Sequence, residues 1–214
     1  MTNTRDLRTP RLAEIHPEMR FSTITATGLD AARFAERADR LAATVRDELR
    51  EPRPEVAETV AGFAEYFSAH GHAFPLRQQI ARAAKRGFPK APAPVLALLA
   101  AEAGTGVLMG VQDADAVDGR PCLDVARGGE QFTGMRDAVL TCADLEVVVR
   151  DGSGIIASLL QGPDQRTALT PQTRSLEFYV FDTPDGLGKR HDTAVELLTG
   201  LVSGAAESTT VRRE

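Results

Sequence analysis

The sequence contains no tryptophan, and only 5% of its 214 residues are aromatic, so a core built from this chain is aliphatic and rich in alanine. Cysteine is scarce as well: Cys122 and Cys142 occur without a CxxC motif or a histidine at metal-ligand spacing. This pattern predicts reduced, buried thiols rather than a disulfide or a zinc site. We therefore expect a core that is stabilised by packing alone, without a metal or a cofactor.

Long apolar stretches are also missing. No run reaches the roughly 20 apolar residues that a membrane-spanning helix needs, and residues 1–18 contain no apolar stretch of the kind found in signal peptides. Residues 1–18 mix charges, threonine and proline without periodicity, which predicts a flexible leader. The sequence therefore predicts a cytoplasmic protein without a membrane partner.

The charge balance limits the nucleic-acid partners. A formal net charge of −5 argues against attraction of the whole surface to nucleic acid, which is typical of basic domains. We therefore expect no DNA binding, and any contact with RNA must be local. The oligomeric state does not follow from the sequence.

Hydrophobic spacing divides the chain into helices followed by strands. It predicts a helix after an Asp30 cap, a second one from Pro54, a basic one ending at Gly87 and a nearly all-apolar one at "APVLALLAAEAG". From about Thr105, short β-prone runs alternate with turn residues, and "GKRHDTAVELLTGLVSGAA" returns to helical spacing. The pattern predicts an α/β or α+β fold over residues 19–214, in which a helical N-terminal half packs on a mixed β-sheet and a C-terminal helix follows.

One basic cluster stands out in the acidic chain. The segment "RQQIARAAKRGFPK" contains five basic residues and no acidic one. Such a cluster is most often a solvated helix face, and local phosphate binding is the alternative. The candidate tRNA-binding residues are Arg77, Arg82, Lys85, Arg86 and Lys90.

Motifs for nucleophilic or metal catalysis are not complete in this sequence. "DGSGI" around Ser153 lacks the G-x-S-x-G spacing of a hydrolase elbow and is typical of a hairpin turn. The histidines of "HGH" at 70–72 have no third ligand nearby, and His191 precedes an aspartate at a helix start. All three histidines are read as features of helix ends, so no metal site and no catalytic triad are predicted.

Three ordered segments resemble one known domain. "GVLMGVQDADAVDG", "CLDVARGGEQFTGM" and "DGSGIIASLLQGPDQRTALTPQTRSLEFYVFDTPDG" are similar to the B3/B4-type domain of the bacterial phenylalanyl-tRNA synthetase beta chain, and especially to its free-standing relatives. In the synthetase this domain hydrolyses tyrosine that is wrongly attached to phenylalanine tRNA. The resemblance implies an amino-acid pocket lined by three loops. Its expected lining is Leu108, Met109, Gly110, Val111, Gln112, Asp113, Arg127, Gly128, Gly129, Glu130, Phe132, Gln161 and Gly162.

The same resemblance implies an activity. Aminoacyl esters are intrinsically reactive, so a site that orients water and the terminal ribose hydroxyl can hydrolyse them without a triad. The candidates for this role are Asp164, Gln165, Arg166 and Thr167, with Glu130 as an alternative pocket acid. The implied function is hydrolysis of an aminoacyl-tRNA ester in trans, with tRNA and possibly a synthetase as partners. Length and the lack of an ATP-binding signature exclude a complete synthetase.

Two departures from the family pattern keep a second function open. Gly110 stands where the synthetase pocket has a histidine, and Asp164 stands nearest to the glutamate that recognises the tyrosine hydroxyl. The alternative is therefore a non-catalytic module that binds tRNA or an amino-acid-like ligand. A purely structural role of the loop also remains open, in which Asp164 pairs with Arg166 while Thr170 and Thr173 close turns.

Overall fold

The computed structural model describes residues 7–51, 53–186, 188 and 190–213. The helices are α1 (Pro10–Ile15), α2 (Ala31–Glu48), α3 (Pro54–Ala69), α4 (Leu76–Arg86), α5 (Ala93–Thr105) and α6 (His191–Ser203). The strands are β1 (Phe21–Leu29), β2 (Met109–Asp113), β3 (Cys122–Val125), β4 (Gln131–Gly134), β5 (Ala138–Thr141), β6 (Val147–Asp151), β7 (Gly154–Ser158), β8 (Gly162–Pro163), β9 (Leu176–Phe181) and β10 (Ala206–Arg213). Short 3₁₀ helices cover Ala114–Ala116, Met135–Asp137 and Gln165–Thr167.

The strands form two four-stranded sheets and one separate hairpin. The first sheet has the order β10-β1-β9-β2, the second has the order β3-β6-β7-β8, and β4 pairs with β5. The predicted α+β class is confirmed. Every pairing within these sheets is antiparallel, where we expected a single mixed sheet. Tight turns such as the one between Asp151 and Gly154 allow only antiparallel neighbours, since a parallel pair needs a long crossover.

The first sheet is the middle layer of the molecule. On one face, Phe178 and Val180 of β9 pack with helices α2, α5 and α6. On the other face, Tyr179 and Phe181 pack with α3 and the second sheet. Because both faces of β9 are covered, all six of its residues are buried, and its sequence is apolar at every position except Glu177 instead of alternating.

The N-terminal segment differs from the predicted leader. Residues 1–6 lie outside the described residues, but residues 7–18 are part of the folded protein. Thr9 caps α1 by accepting a hydrogen bond from the backbone N–H of Leu12, and the side chain of Leu12 is fully buried. Pro10 is at the first helical position, where its fixed φ favours a helix, so proline in this segment does not indicate flexibility. A helix of six residues is also too short to show periodicity.

Several local predictions are confirmed. Asp30 caps α2 through a 3.0 Å bond from the backbone N–H of Arg33, and Gly87 ends α4 with a φ of 79°. Both thiols are free as predicted, but only Cys142 is buried, whereas Cys122 is half-buried; burial raises the pKa of Cys142 to about 12. Among the described residues, no helix is long and apolar enough to cross a membrane.

Candidate functional site

A cavity of about 450 Å³ opens between the two sheets beside the start of α5. Its volume lies in the ordinary range for small-molecule sites. The wall is mostly apolar, and no carboxylate, histidine, lysine or arginine is part of it. The lining residues are Pro92, Val95, Leu98, Leu108, Met109, Gly110, Val111, Gln112, Met135, Ala157, Ser158, Leu159, Gly162, Pro163, Ala168, Leu169, Tyr179 and Phe181.

Gln112 and Tyr179 form a buried polar pair in the cavity wall. The Tyr179 hydroxyl donates to Gln112 Oε1 over 3.1 Å, and Gln112 Nε2 donates to the carbonyl of Ile156 over 2.6 Å. Burial, together with the carboxylates of Glu177 and Asp151, raises the pKa of Tyr179 well above its ordinary value. The phenol therefore stays neutral, and the pair adds fixed, internally hydrogen-bonded dipoles to a largely apolar wall.

The first predicted loop contributes most to this cavity. Leu108 to Gln112 all line it, because β2 is an edge strand of the first sheet and follows α5 directly. Asp113 does not line it. Its carboxylate accepts the backbone N–H of Asp115 over 3.1 Å and the hydroxyl of Thr173 over 2.5 Å. The predicted role of Thr173 in closing a turn is confirmed by its bond from the backbone N–H of Thr170.

The second predicted loop does not contribute to the cavity. Arg127, Gly128 and Gly129 form a turn after β3, and Phe132 is buried on the far face of the second sheet, against Val148 and Ile155. This packing turns the loop away from the first sheet.

Glu130, the alternative pocket acid, also lies in this turn. It accepts bonds of 2.6 Å from Arg150 Nη2 and from the backbone N–H of Arg127. The bond from Arg150 is the main cause that lowers the pKa of Glu130, although partial burial opposes it. Its carboxylate is therefore an ion-pair partner within the fold.

The third predicted loop reaches the cavity only through Gly162 and its neighbour Pro163. Gln161 turns towards the second sheet and donates to Glu146 over 2.8 Å. Asp164 caps the following 3₁₀ helix by accepting the backbone N–H of Arg166 over 2.6 Å. The Gln165 side chain accepts the backbone N–H of Asp137 over 3.0 Å and donates to the Asp137 carboxylate over 2.8 Å.

Arg166 and Thr167 have structural surroundings as well. The Arg166 guanidinium binds both carboxylate oxygens of Asp151 over 2.9 Å, so the predicted side-chain pair with Asp164 is wrong. The reason is that the Asp164 carboxylate already accepts hydrogen bonds from backbone N–H groups, whereas the Asp151 carboxylate lies across from the loop and faces the guanidinium. Thr167 is fully buried. None of the four catalytic candidates lines the cavity.

Sequence reasoning missed the contributions of α5, β7 and β9 to the wall. Tyr179 offered a signal, since it is the one polar aromatic residue within the largely apolar run "SLEFYVF". Val95 and Leu98 offered none, because a helix that is apolar on most sides does not indicate which side faces a cavity.

The basic cluster borders a different face of α5 from this cavity. Arg82 and Arg86 of α4 line a second cavity of about 550 Å³ together with Leu99 and Ala103 of α5. Lys85 is exposed on the same helix. Arg77 is separate from this group, since it borders another cavity of about 400 Å³ at the other end of α4.

Comparison with known proteins supports the fold. No protein-family model matches the chain, and no curated protein matches it. The fold is similar to a crystal structure of an N-terminal fragment of the phenylalanyl-tRNA synthetase beta-subunit from Pyrococcus horikoshii, with a TM-score of 0.51 and 11% sequence identity. The match covers 95% of this chain and 48% of that fragment, so the chain spans about half the fragment's length. At this identity, the likeness is one of fold.

Proposed function

We propose that the chain binds the aminoacyl end of a tRNA and hydrolyses the ester bond in trans, as a free-standing B3/B4-like domain. The observation that carries this proposal is the cavity between the two sheets, whose size suits an amino-acid side chain and whose wall includes Leu108 to Gln112. A likeness in fold to a synthetase fragment agrees with this choice of ligand.

The apolar wall favours an apolar aminoacyl group, since transfer of apolar surface from water stabilises the bound state. The Gln112–Tyr179 pair then orients the ester by its fixed dipoles. Water attacks the ester carbonyl, the bond to the ribose oxygen breaks, and that oxygen leaves with a proton. The neighbouring ribose hydroxyl of the substrate relays this proton from the attacking water to the leaving oxygen. Such a relay is consistent with a wall without ionisable acids or bases other than a neutral tyrosine.

Filling the cavity tests the proposal. Ala168 lies in the wall with extended backbone, so Ala168→Phe places a ring in the cavity without backbone strain. We expect hydrolysis to slow at least tenfold, since the lost contacts are worth about 1.4 kcal/mol or more. The measurement is single-turnover deacylation of a panel of charged tRNAs, with melting temperature recorded in parallel.

Ala32→Phe is the matched control, because Ala32 is exposed on α2. We expect this variant to hydrolyse at the rate of the unmodified protein. If the unmodified protein, in excess over substrate, accelerates deacylation of no charged tRNA, the catalytic part of the proposal is rejected.

A second function is favoured by one observation, namely that Asp164 to Thr167 all lie outside the cavity wall. A non-catalytic module that binds tRNA or an amino-acid-like ligand needs only the cavity. Under this alternative, calorimetry detects binding of a non-hydrolysable aminoacyl-adenosine analogue, Ala168→Phe abolishes that binding, and no charged tRNA is turned over.

A further inference from the structure

Phe88 is an aromatic side chain that the hydrophobic core does not use. Of the 11 phenylalanine and tyrosine residues, nine are buried, and the partly exposed Tyr66 stacks against His70 and the core. Phe88 is half-buried, belongs to none of the core clusters, and makes no ring contact within the described residues. In a chain this poor in aromatics, the core does not explain its position.

Cations without carboxylate partners surround Phe88. Arg46, Arg82, Arg86 and Lys90 form no ion pair within the part of the chain that the structure describes. Elsewhere, arginines are mostly engaged: Arg20, Arg53, Arg150 and Arg166, for example, each bind at least one carboxylate. Positive charge near Phe88 is therefore available to an external anion.

The segment 86–89 lies between two open cavities. One, of about 550 Å³, is lined by Arg82, Phe88 and the apolar Leu99. The other, of about 600 Å³, is lined by Asp39, Arg46, Phe88 and Lys90. Both volumes are in the range of ligand sites. We call this pair of cavities the Phe88 groove.

We propose that the Phe88 groove binds a single-stranded RNA end, with a base stacked on Phe88 and backbone phosphates at Arg46, Arg82, Arg86 and Lys90. A half-buried aromatic ring among unpaired cations suits single-stranded nucleic acid, because each base offers a flat face and each linkage a charge. In a duplex no base is unstacked and free to lie on Phe88. The groove should therefore distinguish single-stranded from double-stranded RNA and not one base sequence from another.

The groove and the aminoacyl cavity both border the start of α5. Lys90 lines the groove, and Pro92, two residues later, lines the cavity. On α5, Leu96 faces the groove and Leu98 faces the cavity. An RNA end that crosses the start of α5 reaches the cavity with its terminal group, so this inference rests on the proposed function for its choice of RNA.

The test uses a fluorescently labelled single-stranded RNA hexamer that carries no aminoacyl group. We expect Phe88→Ala to weaken its binding about tenfold with an unchanged salt dependence, and Phe88→Tyr to bind within about twofold of the unmodified protein, since tyrosine keeps the ring. Arg86→Ala should reduce the slope of log K against log salt by about 0.7, as expected for one lost phosphate contact. The matched control is Arg33→Ala, because Arg33 is an exposed arginine at the other end of α2 from Arg46.

The outcomes separate this inference from the proposed function. Weaker hexamer binding by Phe88→Ala, with unchanged binding of the aminoacyl-adenosine analogue, supports the groove. The inference is overturned if the hexamer does not bind at about 50 mM salt, if Phe88→Ala binds it as well as the unmodified protein, or if the same sequence as a duplex binds at least as tightly. Failure of deacylation alone leaves the hexamer result standing and counts only against the cavity.

Discussion

Glu102→Gln is expected to stabilise the protein by about 3 kcal/mol at pH 8 and to destabilise it by about 1 kcal/mol near pH 4.5. Glu102 lies on α5, where burial raises the pKa of its carboxyl from 4.5 to about 8, opposed only in part by the bond from the backbone N–H of Met109. In the described residues, no cation pairs with it. At neutral pH this carboxyl must therefore take up a proton when the protein folds, which costs free energy. A glutamine amide takes up no proton and avoids this cost.

The sign of the pH dependence follows from this shift. Because the pKa is raised in the folded state, the contribution of Glu102 is fully present below its unfolded pKa. It is lost as pH rises towards 8, by about 1.4 kcal/mol for each pH unit. Desolvation of the glutamine amide offsets roughly 1–2 kcal/mol of the gain, which gives the net value expected at pH 8.

Urea unfolding at pH 5, 6, 7 and 8 measures the effect, and the difference between the two proteins should grow with pH. Glu65→Gln, at an exposed position of α3, is the control and should show no growing difference. If the difference in free energy of unfolding between the unmodified protein and Glu102→Gln is the same at all four pH values, Glu102 is ionised in the folded protein and the expectation is wrong.

Local chemistry made most of the helices and strands predictable. The spacing of Phe34 and Ala38 determines the buried face of α2, and a left-handed glycine at 87 determines where α4 ends. The partners of the strands were not predictable, since pairing depends on contacts between distant residues. Helix α1 was missed for a related reason: Leu12 is buried by packing on β3, and six residues carry no periodic signal.

The candidate site was predictable only where one continuous element carries it. Leu108 to Gln112 form a single stretch leading into an edge strand, so a resemblance over that segment located one wall of the cavity. The Arg127–Phe132 loop depends instead on where Phe132 packs, and this is decided by Val148 and Ile155 in other strands. The polar composition of the loop from Gln161 to Thr173 suggests a site, but its polar groups mostly form hydrogen bonds and ion pairs within the fold.

Asp151→Ala is expected to destabilise the protein by about 3 kcal/mol, whereas Arg166→Ala should cost only about 1 kcal/mol. The Asp151 side chain is fully buried, and it accepts backbone N–H bonds of 2.9 to 3.1 Å from Asp118, Ser153 and Gly154 besides the Arg166 pair. Its removal leaves all these donors without an acceptor. Loss of Arg166, which is 39% exposed, leaves the carboxylate with its backbone donors.

The same two variants decide what the loop does. Burial by itself would raise the pKa of Asp151, but the bonds from Arg166 and the backbone N–H groups outweigh it and lower that pKa, so the carboxylate is ionised and committed to the fold. We therefore expect Arg166→Ala to lower the melting temperature while the aminoacyl-adenosine analogue still binds. Asp144→Ala, which removes the exposed partner of Arg11, is the control and should shift the melting temperature little. Loss of analogue binding in Arg166→Ala at an unchanged melting temperature would instead assign Arg166 to the ligand, because an arginine that only supports the fold has to act through stability.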